Sequence, residues 1–281
     1  MTWTLTSSLD EFRAETGDFL AAHPAENTVL LTLVDRLAKL GLNAFGPEAP
    51  RFGWWRPGPE AQVAGAFLQT PPFSPRLGRM PTEAGAELAA ALHADGVELP
   101  GIAGGEAPTW AFVEVWQKAA GCGATVHVNE RLYRLGELTD PSPVPDGRAR
   151  PATAADRELL IAWFDAFLAE IDHPSPDLAA VVDRRTADGD LHIWEVDGRP
   201  VSLAGVSPVI AGMSRVGPVF TPPELRGRGY ASGVVAAGSA HALAQGADEV
   251  LLYTDLANPT SNSIYQKLGY RPVADCVTLD F

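Results

Sequence analysis

Two short stretches carry residue types at spacings that could do chemistry. The first is Arg226-Gly227-Arg228-Gly229-Tyr230-Ala231-Ser232-Gly233, which follows an apolar run ending at Phe220 and a turn marked by Pro222 and Pro223. A strand, a proline turn and a helix start in that order form a receiver for an anion. The first backbone N–H groups of a helix have no intrahelical partner, and the helix dipole adds partial positive charge there. Gly227 and Gly229 let a ligand approach the backbone, Ala231 and Gly233 keep the first turn slim, and Arg226 and Arg228 add formal charge.

The second stretch is Asn258-Pro259-Thr260-Ser261-Asn262-Ser263-Ile264-Tyr265-Gln266-Lys267-Leu268-Gly269-Tyr270, directly after Val250-Leu251-Leu252-Tyr253. Its helix grammar has Asn258 as N-cap, Pro259 at the first helical position and Gly269 just past the end. Ile264 and Leu268, four apart, share one face. Taken alone, Asn258 is a cap and Tyr265 a core aromatic.

A glycine-rich turn by itself does not choose its ligand. No Gly-Lys-Ser/Thr follows, which excludes a Walker A loop. Gly227, Gly229 and Gly233 also admit a dinucleotide fingerprint with Asp248 or Glu249 as ribose partner, but that fold needs several strand-helix-strand units downstream and too little chain remains.

The elements that must position these residues are periodic. After Pro151 come helices at Ala154–Ile171, with a Thr153 N-cap and an end before His173-Pro174, and at Asp177–Asp188. The strands Leu191–Val196 and Pro200–Val209 flank an Asp197-Gly198 hairpin turn. A strand Ser214–Phe220, a small-residue helix Gly229–Gln245, a strand Glu249–Thr254, a helix Pro259–Leu268 and a strand Arg271–Asp280 complete the half. Before the linker the order is similar: an opening strand, helices Leu9–Ala22 and Asn27–Leu40, strands Phe52–Arg56 and Gln62–Thr70, helix Thr82–His93, a buried Val97–Leu99, helix Thr109–Ala120 and strand Ala124–Leu135. The matching order suggests an internal duplication. Pro141, Pro143 and Pro145 with Asp146-Gly147 mark a linker. The division is therefore 1–140, linker 141–149, and 150–281.

Composition bounds the function. The net charge is −14, with 46% apolar residues, and acids exceed bases in both halves. That excludes a basic nucleic-acid surface. Cys122 and Cys276 are too few for a disulfide framework or a zinc site. No stretch reaches the roughly 18 apolar residues of a membrane span and no leader is recognisable, so a cytoplasmic protein is expected.

Together and in this order, the two stretches resemble the GNAT N-acetyltransferase superfamily. Its pyrophosphate motif Arg/Gln-x-x-Gly-x-Gly/Ala is met by Arg226, Gly229 and Ala231. Its later motif Asn-x-x-Ser/Ala-x-x-x-Tyr-x-x-x-Gly-Phe/Tyr is met by Asn258, Ser261, Tyr265, Gly269 and Tyr270. The resemblance covers about residues 150–281. It implies an α/β fold with a mixed sheet splayed between its fourth and fifth strands, repeated in tandem if the first half is a degenerate copy.

The resemblance further implies that acetyl-coenzyme A is the co-substrate. Val219 and Thr221 would pair with the pantetheine arm, the backbone of Arg226, Gly227, Arg228, Gly229, Tyr230, Ala231 and Ser232 would hold the pyrophosphate, and Asn258 would lie beside the pantetheine. Tyr265 would protonate the departing thiolate, transfer would be to a primary amine, and no metal is expected.

One departure matters. A glutamate that some members carry eleven residues before the motif arginine is Arg215 here. Glu195, His192, Asp172, His173 and Asp255 stay open as bases, and a non-catalytic acyl-CoA-binding module stays open as an alternative. Arg215 reads either as a solvent-facing strand residue or as a cation for an acidic acceptor. In the first half the nearest counterpart loop, Leu77-Gly78-Arg79-Met80-Pro81-Thr82-Glu83-Ala84-Gly85, puts proline and glutamate where open N–H groups are wanted, so that half is expected to shape the acceptor site rather than bind cofactor. Its aromatics Phe52, Trp54, Trp55, Phe67, Trp110, Phe112 and Trp116 read as core.

Overall fold

The computed structural model describes residues 2–171 and 177–281. They group into two compact units, one of Met1–Leu132, Thr254–Asn258 and Pro272–Phe281, the other of Tyr133–Tyr253 and Pro259–Arg271. The linker at 141–149 divides the chain by composition. Compactness divides it by pairing, and pairing brings the C-terminal residues into the first unit.

The first half of the chain runs β1 (Thr2–Thr6), α1 (Leu9–Ala22), α2 (Thr28–Leu40), β2 (Arg51–Arg56), β3 (Gly65–Gln69), β4 (Arg76–Leu77), α3 (Thr82–Ala94), β5 (Gly101–Gly105), α4 (Glu106–Ala120) and β6 (Thr125–Leu135). The second runs β7 (Arg148–Pro151), α5 (Arg157–Glu170), α6 (Leu178–Ala187), β8 (Leu191–Val196), β9 (Arg199–Val206), β10 (Met213–Phe220), α7 (Tyr230–Ala244), β11 (Glu249–Asp255), α8 (Pro259–Lys267) and β12 (Tyr270–Asp280). Strand pairing repeats as well as order. In the first unit β1, β2, β3 and β4 are antiparallel neighbours and β4 pairs parallel with β5. In the second, β7, β8, β9 and β10 are antiparallel neighbours and β10 pairs parallel with β11. The fold is a mixed α/β arrangement built twice on one plan.

The sequence grammar explains most of these elements. Ser8 caps α1 by accepting from the Glu11 N–H at 3.2 Å, and Asp177 caps α6 by accepting from Ala180. Thr153 and Asp156 form a reciprocal capping box that leads through a short 3₁₀ turn at Ala154–Asp156 into α5, three residues later than the cap alone predicts. The turn between β8 and β9 has positive φ at both Asp197 and Gly198, as the tight hairpin requires. The predicted end of α5 at His173-Pro174 lies outside the described residues.

Pattern reading missed β4, β5 and β7, and Val97–Leu99 is half-exposed chain rather than a buried strand. β4 has two residues, and β5 reads Gly-Ile-Ala-Gly-Gly with little strand propensity of its own. Its glycines serve close approach instead: a Cβ on Gly104 would fall 2.5 Å from the Leu77 Cβ, and one on Gly101 would fall 2.2 Å from the Leu279 carbonyl. The strand exists because β12 pairs with it from Cys276↔Gly105 to Asp280↔Gly101, a contact no local window contains.

The first unit's core gathers Trp55, Phe67, Leu88, Phe112, Trp116 and Leu279. Of the predicted core aromatics, Trp110 alone is well exposed. The second unit buries both faces of its sheet. Leu160, Phe164, Val182, Ile193 and Leu203 fill the face under α5 and α6, and Trp194, Val206, Val216, Val234 and Val250 fill the face under α7. α7 comes close because it is built of small residues: a Cβ on Gly233 would lie 2.9 Å from the Trp194 ring and one on Gly238 3.0 Å from Val206. Among the described residues no helix is long and apolar enough to cross a membrane, and no group of three or more His, Cys, Asp and Glu is placed to hold a metal ion.

Candidate functional site

The glycine-rich loop folds as its residue types require. Leu225 closes a 3₁₀ turn, Arg226 is extended, and Gly227 and Gly229 take φ of +78° and +81°, conformations that a side chain resists. Gly229 is the N-cap of α7 and has no side chain with which to cap it. The first α-helical bond to close runs from the Gly233 N–H to the Gly229 carbonyl at 3.1 Å. The N–H groups of Tyr230, Ala231 and Ser232 therefore sit at the positive end of a fifteen-residue helix without intrahelical partners. The Tyr230 side chain is buried in the core, so that residue offers only its backbone.

The two arginines divide their roles. Arg226 donates from Nε to the Thr221 carbonyl at 2.9 Å and from Nη2 to Glu170 at the end of α5. It braces the loop, and it occupies the Thr221 carbonyl, leaving that residue's N–H. Arg228 is exposed and has no ion pair among the described residues. The linker supports the same turn: buried Pro145 lies against it, 3.4 Å from where a Gly229 Cβ would be. Trp194 donates from Nε1 to the Asp146 carbonyl at 2.8 Å and holds the linker in place.

The strand leading into the loop leaves an edge open. β10 pairs with β11 at Met213↔Glu249, Ser214↔Val250 and Arg215↔Leu251, and there the pairing stops. On its other side β10 continues against β9, through a shift in register between Val216 and Val219. Val216–Phe220 thus has strand geometry with one side unmatched by β11, and Val219 lies in that stretch. Thr221 follows directly after it, its hydroxyl 2.8 Å from Ser202 Oγ.

Tyr265, on α8, is 8% exposed and belongs to the same buried cluster as Val216 of β10 and Leu252 of β11. Burial raises its pKa to about 12, against a hydrogen bond from Ser261 that lowers it, so the phenol holds its proton across the physiological range. Its ring meets Tyr270 edge-on at 6.1 Å, and Tyr270 shares a hydrogen bond with Ser239 of α7 at 2.7 Å. Gln266 donates to the Tyr133 hydroxyl at 2.9 Å, which donates in turn to Asn262 at 3.0 Å. α8 is therefore held by polar ties on both sides of Tyr265. Asn258 precedes α8 and belongs to the first unit; its N–H donates to the Asp255 carbonyl at 3.1 Å.

The open candidates for a base fare differently. Glu195 pairs with Arg150 at 2.7 Å and lies 3.6 Å from Arg148, and Arg150 also grips Asp156 with two bonds of 2.7 and 2.8 Å. That network fixes β7 to β8 and engages Glu195. His192 is buried, with its ring centroid 4.6 Å from that of His241 in the last turn of α7. Burial, and then His241, push its pKa down to about 4. It lies at the opposite end of α7 from the loop. Asp172 and His173 fall outside the described residues. Asp255 belongs to the first unit. Arg215 is half-buried in β10, and its N–H donates to Ser207 Oγ at 2.8 Å.

A helix N-terminus with open donors, a strand parted from its neighbour before it, and a buried protonated tyrosine thus belong to one unit of this mixed α/β fold. Residues 157–270 match the model of the Acetyltransferase (GNAT) family, and that segment is a GNAT domain. The fold extends to the whole chain. An acetyltransferase of the GNAT family from Colwellia psychrerythraea is similar over 100% of both chains at 13% identity and a TM-score of 0.62. A Drosophila protein is similar over 99% of this chain and 98% of its own at 13% identity and a TM-score of 0.70. A GCN5-related N-acetyltransferase from Sphaerobacter thermophilus is similar over 99% and 94% at 14% identity and a TM-score of 0.63. No curated protein sequence matches the chain.

Proposed function

We propose that the second half of the chain transfers an acyl group, acetyl in the first instance, from coenzyme A to a primary amine. The observation that carries this reading is the pairing of β10, unmatched by β11 beyond Arg215, with the uncapped first turn of α7 immediately after it. A ligand with an amide-bearing arm and a pyrophosphate meets both features at once. The arm pairs with the free side of β10 around Val219 and Thr221, and the pyrophosphate lies on the N–H groups from Gly227 to Ser232, with Arg228 adding charge. In this reading residues 150–281 form the donor domain.

Chemically, the amine nitrogen attacks the thioester carbonyl, a C–N bond forms, the C–S bond breaks, the ammonium loses a proton and the sulfur gains one. A phenol near 12 holds its proton more tightly than a thiol near 8.5. Tyr265 therefore steadies the charge on the leaving sulfur as a hydrogen-bond donor, and the proton the sulfur finally keeps balances the one the ammonium loses, with the phenol left protonated. The amine's own proton leaves to water or to a base on the acceptor side.

The second reading, a module that binds acyl-CoA without turnover, is favoured by two observations. Arg215 replaces the family glutamate, and Glu195 is engaged by two arginines. One experiment separates the readings. Acetyl-CoA is added to the protein in a thermal melt, and free thiol is followed on adding a panel of primary amines. A rise in melting temperature with thiol release supports transfer, and a rise without thiol release for any amine supports the binding module. No rise at all removes both.

A further inference from the structure

We propose that Arg185 is a positioning residue that holds open the free side of β10, and that Gly205 exists to let it through. This rests on the donor-site reading above for its consequence, not for its geometry. Between Val216↔Val206 and Val219↔Ala204, two residues of β10, Gly217 and Pro218, stand opposite one residue of β9, Gly205. That is one extra residue, a bulge, which bends the strand and turns a carbonyl out of the ladder. Pro218 has no N–H to give back to the sheet.

The displaced Gly217 carbonyl accepts from Arg185 Nη2 at 3.1 Å. Arg185 comes from α6, its side chain is 14% exposed, and its Nε lies 3.9 Å from Asp190. Its guanidinium also lies 5.9 Å from the centre of the Phe164 ring. A guanidinium held this way gives a charge-assisted bond whose direction is fixed by the fork. The bond passes through a gap that only glycine leaves. A Cβ on Gly205 would stand 2.2 Å from Arg185 Nη2 and 2.5 Å from the Gly217 carbonyl oxygen.

The bulge lies two residues beyond Arg215, the last residue of β10 paired with β11. The brace therefore fixes the strand at the point where it leaves its neighbour, and the edge offered to the pantetheine arm keeps its direction. Neither Arg185 nor Gly205 belongs to the two sequence motifs.

Hydrogen exchange on the ligand-free full chain reads the brace directly, and a coenzyme A titration reads its consequence. In Arg185→Ala and in Gly205→Ala, peptides covering Val216–Phe220 should exchange faster than in wild type, while peptides covering α3 and α4 keep their rates. The coenzyme A dissociation constant should rise about tenfold, the loss of one charge-assisted bond, with kcat at saturating acetyl-CoA changed less than about twofold. Arg185→Lys, which keeps a donor and a charge, should restore part of the affinity and stands in if the alanine variants do not fold. Wild-type exchange in Val216–Phe220 in the folded variants overturns the brace. Faster exchange with unchanged affinity overturns its role at the site. A wild-type protein that does not bind coenzyme A overturns the donor-site reading and with it the positioning role, whereas the exchange result still decides whether the brace exists.

Discussion

The junction from β10 to α7 and the junction from β4 to α3 follow the same plan of strand, turn and helix, and differ in what occupies their backbone donors. At the first, glycines at 227 and 229 turn the chain, no side chain caps α7 and no acid lies in its first turn. At the second, the Gly78 N–H donates to the Ala66 carbonyl at 2.9 Å and the Arg79 N–H to Asn27 Oδ1 at 2.8 Å. Pro81, with no N–H, is the N-cap of α3, and Glu83 lies in its first turn. The strands differ in the same sense. β10 has eight residues and is paired with β11 along its first three, whereas β4 has two and is paired with both β3 and β5. One plan thus leaves backbone donors open at the β10–α7 junction and closes them at the other, where a neighbouring asparagine and a proline stand.

If the open junction is the catalytic one, Tyr265→Phe should give the largest change. Removing a positioned proton donor typically lowers turnover by 10²–10⁴-fold, and here coenzyme A affinity should stay within about twofold, because the arm and pyrophosphate contacts are untouched. Steady-state thiol release with a parallel binding titration measures both. Unchanged turnover removes the acid role and leaves the open junction as a binding site.

The second unit should also be the acid-sensitive one. His192, beneath α7, has its pKa lowered to about 4 by burial and by His241, against about 6.5 in an unfolded chain. Between those values the unfolded chain binds the extra proton, so stability falls as pH drops from about 6.5 towards 4 and levels off below. The full effect is up to about 3 kcal/mol. Denaturant melts across that range should show the slope, and His192→Gln should flatten it. A slope unchanged in that variant assigns the acid sensitivity elsewhere.

Gly229→Val acts on the junction itself. A β-branched residue at φ +81° costs about 1–3 kcal/mol of strain, which the loop relieves by rotating its donors away from the ligand. Coenzyme A affinity should fall about tenfold or more, with the loss of melting stability no greater than that strain. Undiminished affinity would show that the Gly229 conformation is not what opens the site.

Much of this was legible because its causes are local. The caps at Ser8 and Asp177, the Asp197-Gly198 turn and the positive-φ glycines of the loop are each decided within a few residues. What was not legible depends on residues distant in sequence. β5 is a strand because β12 pairs with it. Arg226 is a brace because Glu170, far before it, meets it. Asn27, predicted only as the start of a helix, closes the Arg79 N–H from 52 positions away. The motifs mark the glycine-rich loop and α8; the residues that brace them lie outside any motif.

The smallest expected effect is the sharpest test of the comparison. Pro81→Gly with Glu83→Ser gives the β4–α3 junction the residue types of the β10–α7 junction: a flexible cap and no acid in the first turn of α3. If composition made the receiver, this variant would gain a second anion site. The structure predicts no gain, because the Arg79 N–H still donates to Asn27, the Gly78 N–H still donates to Ala66, and β4 still has neighbours on both sides. Coenzyme A stoichiometry by calorimetry should equal that of the wild type. A stoichiometry raised by one would mean that proline and glutamate alone closed the β4–α3 junction, and that Asn27 is incidental. With no gain, Asn27→Ala on the same background becomes the informative step. It frees the one donor that a side chain holds and leaves the strand closed, so any affinity then gained belongs to the loop and not to the edge.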